Sequence, residues 1–311
     1  MIKVKHVKKT RMKKTMGEKV FLGVIAVLLT FSFLITLYPI IYVVSASFSD
    51  PSAVSSGEML LWPVRPTLDA YKFILKYSEI WSGYANTIFY TIVGTLLNLA
   101  VTMPCAYALS RKDLKGRNVI MIIFMITMYI GGGLIPSYLN VNNLGLIDTR
   151  FYILISGLVS VYNVIVAKTF FANTIPWELQ EAAFLDGCSN FKLFGTIIVP
   201  LSAPITVVLS LYYGVGHWNQ YMTPLIYLKD RAKYPLQVIL REILTMGNFS
   251  SEALSSGGFS AAELEALNSM ANVANQMKFA IIVVATVPML AIYPWLQKYF
   301  EKGVMIGSVK G

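Results

Sequence analysis

Few side chains in this sequence could do covalent chemistry, and none stand at a spacing that supports it. There are two histidines and no His-Glu-x-x-His pair to hold a catalytic zinc. No Gly-x-x-x-x-Gly-Lys-Ser/Thr loop exists to cradle phosphates, so the chain is not expected to hydrolyse ATP itself. Gly131-Gly132-Gly133 lies inside an apolar stretch and not after a strand, which suits close helix packing or a flexible break. Cys105 and Cys188 are lone thiols without framework spacing. No catalytic residue, metal site or cofactor of the chain's own is expected. What remains are groups that bind. Tyr212, Tyr213, Trp218 and Asn219, with Gln220 and Tyr221, combine aromatic faces with hydrogen-bonding tips, the pairing a polyhydroxylated solute needs. An interfacial aromatic belt explains Trp218 and Tyr221 equally well. Asn98 and Asn163 sit in apolar runs, where a polar side chain either serves function or bridges helices. His217 is expected to be structural and not a proton carrier.

One polar segment has a shape of its own. From Ile175 to Gly187 the chain reads IPWELQEAAFLDG, and it continues through Cys188-Ser189-Asn190-Phe191 to Ile197-Ile198-Val199-Pro200. Pro176 suits a helix's first turn and Glu178 its positive N-terminal end. Gly187 suits a helix stop and Ser189 can cap a second helix. Helix, sharp turn, helix is the expected result. The small Ala182–Ala183 pair would let another protein approach the backbone closely.

The elements that must position these groups follow from hydropathy. Of the residues, 56% are hydrophobic and only 14% charged, against about 25% charged in an average soluble domain. Lipid is the natural solvent for the excess. Expected spans of about 20 apolar residues fall at 20–48, 84–110, 118–140, 151–171, 196–222 and 278–297. Eight Lys and Arg residues crowd the first nineteen positions, which reads as a cytoplasmic arm and not as a nucleic-acid tail. The run after it is too long for a signal peptide's apolar core. With the N-terminus inside, the inner segments carry 17 basic residues and the outer ones 9. Both termini are therefore expected in the cytoplasm. Residues 172–195 become a cytosolic loop, and 50–79 and 223–277 become external segments, each with an expected amphipathic or helix-forming stretch (Leu68–Tyr77; Ala261–Met277).

Glu181-Ala182-Ala183, then Gly187, then Ile197-Ile198-Val199-Pro200 resembles the EAA signature of the membrane subunits of ATP-binding-cassette (ABC) importers, with Val199 where Leu is more usual. Asn86-Thr87-Ile88, Ala106-Tyr107-Ala108-Leu109-Ser110-Arg111, Trp218-Asn219 and Tyr234-Pro235-Leu236-Gln237 are similar to the carbohydrate branch. Gly131–Pro136, Leu144-Gly145-Leu146 and Lys302–Gly307 look like a complex-oligosaccharide subgroup. The resemblance implies an all-α membrane protein with the six-helix type I permease fold, in a bacterial plasma (inner) membrane. It implies as partners a second homologous permease, two cytosolic ATPases using ATP and Mg, and an extracellular or periplasmic solute-binding protein, besides membrane lipid. Glu181, Ala182, Ala183, Asp186, Gly187 and Pro200 would couple to the ATPases. Asn98, Asn163, Tyr212, Tyr213, Trp218 and Asn219 would line the path of a sugar or oligosaccharide. The alternatives are a permease of this class for a non-sugar solute, and an ion-coupled secondary transporter. The latter would want intramembrane acids or internal repeats, and the apolar stretches have neither.

Overall fold

A computed structural model of the chain describes residues 15–245 and 277–292, with isolated positions 260, 263, 265, 274 and 294. The first fourteen residues of the basic arm, most of the 246–276 loop and the tail from Tyr299 lie outside the described residues. The chain divides into two compact units, 1–68 and 69–311.

In the first unit, helix α1 (Met16–Ser47) opens on a reciprocal cap. The Glu18 N–H donates to the Thr15 hydroxyl while the Thr15 N–H donates to the Glu18 carboxylate. Its side chains are exposed until the final turn at Ser45, Ala46 and Ser47. The chain then folds back around α2 (Pro51–Ser55), pinned by Ser45 Oγ donating to the Leu61 carbonyl and by the Thr67 N–H donating to that of Phe48.

The second unit is built around one rod. Helix α3 (Asp69–Lys76), within the stretch expected to be amphipathic, precedes α4 (Ser78–Ser110), 33 residues long. Gly83, Thr87, Tyr90, Gly94, Asn98, Thr102 and Ala106 recur every three or four residues and are buried, whereas Ile88, Ile92 and Leu96 are exposed. Small and polar inside with apolar outside is the pattern of a helix whose neighbours are helices and whose solvent is lipid. Against this seam pack α8 (Val161–Thr174) and α12 (Ala203–Trp218). The other elements are α5 (Arg117–Tyr129), α6 (Leu134–Asn143), α7 (Arg150–Ile155), α9 (Trp177–Leu185), α10 (Asn190–Leu193), α11 (Val199–Leu201), α13 (Met222–Tyr227), α14 (236–245) and α15 (Met277–Ile292).

Three of the expected spans are not straight helices. The stretch 118–140 bends by 110° between α5 and α6, where Ile130 is extended and Gly133 has φ +79, so the glycine run acts as a break. The stretch 151–171 is interrupted between α7 and α8, with Gly157 at φ +78. The stretch 196–222 bends by 81° at Ser202 and its helix ends at Trp218. Two prolines explain that bend. Before Pro200 the backbone runs as a π-turn over Phe194–Ile198, a widened turn that makes room for the proline ring against the preceding carbonyls. Pro204 then cannot bond the Pro200 carbonyl, and the helix breaks. Among the described helices α1 and α4 are each long and apolar enough to cross a membrane, and each bent pair adds one crossing if it forms a single span.

The α4–α12 contact predicts its own weak point. A Cβ at Gly94 would stand 2.5 Å from the His217 ring, whereas one at Gly23 meets nothing within 4 Å. Gly94→Ala should destabilise the protein by about 1–3 kcal/mol, read as a lower Tm in detergent, with Gly23→Ala at or above wild type.

Candidate functional site

At one end of α4 stands a helical elbow. Helix α9 starts after Pro176, which takes the N-cap position one residue before the helix, and ends in a left-handed turn at Gly187 with φ +76. The Gly187 N–H donates to the Phe184 carbonyl and the Cys188 N–H to that of Ala183, a Schellman closure that needs a residue without a Cβ. The Ser189 hydroxyl accepts from the Lys192 N–H and starts α10. Glu181 is exposed and accepts a 2.7 Å bond from the Trp177 indole. Asp186 is exposed at the C-cap, and Pro200 is exposed just before the Ser202 bend. The alanine pair is divided. Ala182 faces out, while Ala183 is 7% exposed and belongs to the core with Tyr107 and Phe171, so only Ala182 offers a close approach to another protein.

Arg111, the residue after α4, fixes the elbow to the rod. Its guanidinium lies 5.3 Å from the Phe184 ring centroid and about 6 Å from those of Trp177 and Tyr107. It donates to Asn190 at 2.8 Å and grips Asp113 through two bonds of 2.9 and 2.5 Å. That grip holds the Asp113 carboxyl below its usual range. Beside it, Tyr107 donates to buried Gln180 at 3.3 Å. The elbow is thus held against the end of α4. In the sequence Arg111 stands out only as the end of the Ala106–Arg111 phrase, since its partners on the elbow lie about 65–80 positions away.

Midway along the rod, a cavity of about 410 Å³ opens between the α7–α8 break and α12. Asn163, Tyr212 and Tyr213 line it, together with Ser156, Gly157, Ser160, Tyr162, His217 and Gln220. The Tyr162 and Tyr212 rings lie 6.2 Å apart and are half exposed. Asn98 lies behind the wall at 1% exposure, donating to the Gly157 and Leu158 carbonyls at 3.1 and 2.7 Å and bonding His217 Nε2 at 2.7 Å. Tyr213 bonds Thr102 and receives the Ser160 N–H. Unwound backbone at this depth, satisfied by side chains and facing a cavity, is what a bilayer tolerates. Trp218 and Asn219 are not brought to the cavity: the indole donates to the Ala285 carbonyl on α15, and the Asn219 amide to that of Val215. Gly157 and Ser160, a left-handed glycine and a helix cap inside one apolar run, were the overlooked signal for the break.

The far end of α4 carries a polar clamp. Asn86 donates to the Ala232 and Tyr234 carbonyls and accepts from Arg150, while Thr87 accepts from the Leu236 N–H. Asp148, left-handed at φ +59, accepts from the Lys233 ammonium at 2.9 Å and from the Lys229 and Asp230 N–H groups at 3.0 Å. The clamp and Arg111 are separated by some 25 residues of α4, about 37 Å, enough to clear about 30 Å of hydrocarbon.

A rod with a polar seam, a broken-helix cavity and a helical elbow at one end are the parts a membrane transport subunit needs. The family model for the binding-protein-dependent transport system inner membrane component matches residues 79–306. The chain belongs to that family: it is an inner-membrane permease of an ABC transporter and not an enzyme, ATP being hydrolysed by separate subunits. It is 39% identical to the polygalacturonan/rhamnogalacturonan transport system permease YtcP of Bacillus subtilis, over 89% of this chain and 94% of that one. It is 36% identical to protein LplC of the same organism, over 89% and 90%. Among solved structures it resembles a chain of a bacterial ABC transporter importing the acidic polysaccharide alginate, with TM-score 0.80 and 34% identity over 93% and 99% of the two chains.

The clamp has a pH signature. The Lys233 ammonium, then the two backbone N–H groups, lower the Asp148 carboxyl from 3.8 to about 2. A folded value below the unfolded one stabilises above pH 4, and the contribution is lost as pH falls towards 2. Asn tolerates the left-handed backbone, so Asp148→Asn removes mainly the charge. Its Tm deficit against wild type should be largest above pH 5 and shrink towards pH 2.

Proposed function

We propose that the chain is one of two homologous permease subunits of an ATP-driven importer for an oligosaccharide. The observation that carries this reading is the elbow: a short helix closed at Gly187, presenting Leu185 at 89% exposure beside exposed Ala182 and riveted through Arg111 to the membrane rod. An exposed leucine beside a small alanine on a polar loop calls for a protein partner. The partners are two cytosolic ATPases, which bind ATP and Mg. Their closure pushes the elbow and turns the subunit between inward- and outward-facing states. In this reading the elbow and both termini are cytoplasmic, the chain crosses six times, and the Asn86–Asp148–Lys233 end faces the external binding protein. Support for the cargo comes from a relative named for polygalacturonan/rhamnogalacturonan transport and a solved transporter involved in alginate import, and from a cavity that offers tyrosine faces with amide and hydroxyl groups. Asn163, Tyr212 and Tyr213 contact the solute directly, and Asn98 shapes the wall.

Glu181→Arg and Gly187→Asp test the coupling. Each should lower uptake by about tenfold and weaken ATPase co-purification, while the chain still inserts in the membrane. Wild-type uptake in both would end the reading. For the path, Tyr162→Ala and Tyr212→Ala in the assembled importer should slow uptake of labelled oligogalacturonide several-fold and leave ATPase co-purification unchanged. If both variants transport at the wild-type rate, the cavity is not on the route.

A further inference from the structure

A second cavity, of about 390 Å³, lies where α4 ends, and neither coupling nor solute passage accounts for it. One end is formed by Arg111, Asp113, Lys115 and Asn190, and the wall by Pro104, Ala108, Phe191 and Phe194. Pro104 precedes Arg111 by seven residues, about 10 Å along the helix axis. The cavity therefore runs from a charged mouth at the end of a span to an apolar depth within it.

Lys115 lines the mouth without an ion-pair partner among the described residues, and the segments around it are basic. Arg111, Lys112, Lys115 and Arg117 fall within seven residues, and Lys192 stands two residues from Asn190. The carboxylate in this loop, Asp113, is taken up by Arg111. Lys112, Lys115, Arg117 and Lys192 form no ion pair among the described residues. Basic pockets at the membrane surface attract anionic headgroups, and the apolar wall distinguishes the ligand further. A soluble anion would leave Pro104, Phe191 and Phe194 facing water, whereas a lipid covers them with its chain. Only placement in a bilayer is required, whatever the transported solute.

We propose that this slot binds one anionic phospholipid, its phosphate against Lys115 and the neighbouring cations and one acyl chain along Pro104 and Phe194. The bound lipid ties the elbow to the membrane surface.

The test is native mass spectrometry of the complete importer, delipidated and titrated with phosphatidylglycerol or phosphatidylcholine. Wild type should take up phosphatidylglycerol in preference. Lys115→Glu should weaken that binding about fivefold and leave phosphatidylcholine unchanged, in a complex of unaltered size. Glycerol 3-phosphate should not displace the lipid. Should Lys115→Glu fail to assemble, Phe191→Trp supplies an independent reading, because its fluorescence should be quenched more by phosphatidylglycerol brominated on its chains than by the choline lipid. Equal binding of both lipids, an unaffected Lys115→Glu, displacement by glycerol 3-phosphate or equal quenching would each overturn the proposal.

Discussion

Asn98 has two amide hydrogens and one carbonyl oxygen, and all three have partners. Both hydrogens go to carbonyls of the α7–α8 break, at Gly157 and Leu158, and the oxygen faces His217 Nε2. That assignment leaves no freedom: only the amide nitrogen can face two carbonyls, so the oxygen must accept and His217 must donate from Nε2. Within a bilayer each of these groups would cost several kcal/mol if left unpaired. One side chain thereby decides that a helix can stop at Gly157, that α12 presents His217 towards α4, and that residue 94 carries no side chain. The cavity is what this arrangement leaves open.

The same economy organises the two ends of α4. At one, Asn86 and Thr87 serve the backbone of 232–236. At the other, Arg111 serves the elbow through one hydrogen bond and two aromatic faces. In both cases the rod supplies a side chain and a distant loop supplies groups that water would otherwise have to satisfy. An irregular segment held in this way has one position relative to the rod.

How much of this could be read from the residues divides along a physical line. The elbow was legible because its determinants are local: a glycine that must be left-handed and a serine that caps. Pro176, expected in the first turn, stands one residue ahead of it. The amphipathic stretch before α4 was legible for the same reason. Helix continuity was not. Runs free of charged residues mark what a bilayer accepts, but Gly133, Gly157 and Ser202 break those runs without adding any charge. Pairings were not legible either. Asn86-Thr87 and Tyr234–Gln237 stood out as separate phrases, and only folding showed them bonded to each other. Trp218 and Asn219 show the converse: their polar tips donate to helix carbonyls, and they lie apart from the cavity.

These attachments also constrain how a push at the elbow can travel. Through Arg111, Tyr107 and Gln180 the elbow is fixed to α4, one uninterrupted helix from Ser78 to Ser110. Through α10 and α11 it is fixed to α12 as well, but that route contains a π-turn and an 81° bend. Displacement should therefore be transmitted stiffly along α4 and absorbed at Ser202 on the way to α12. The two helices meet again at Gly94, Asn98 and Thr102, opposite His217 and Tyr213. In the proposed coupling, a stiff arm and a compliant arm joined at that contact would turn a displacement of the elbow into relative rotation of α4 and α12. The cavity wall, held by bonds from both helices to the 156–160 break, is where such rotation would be felt first.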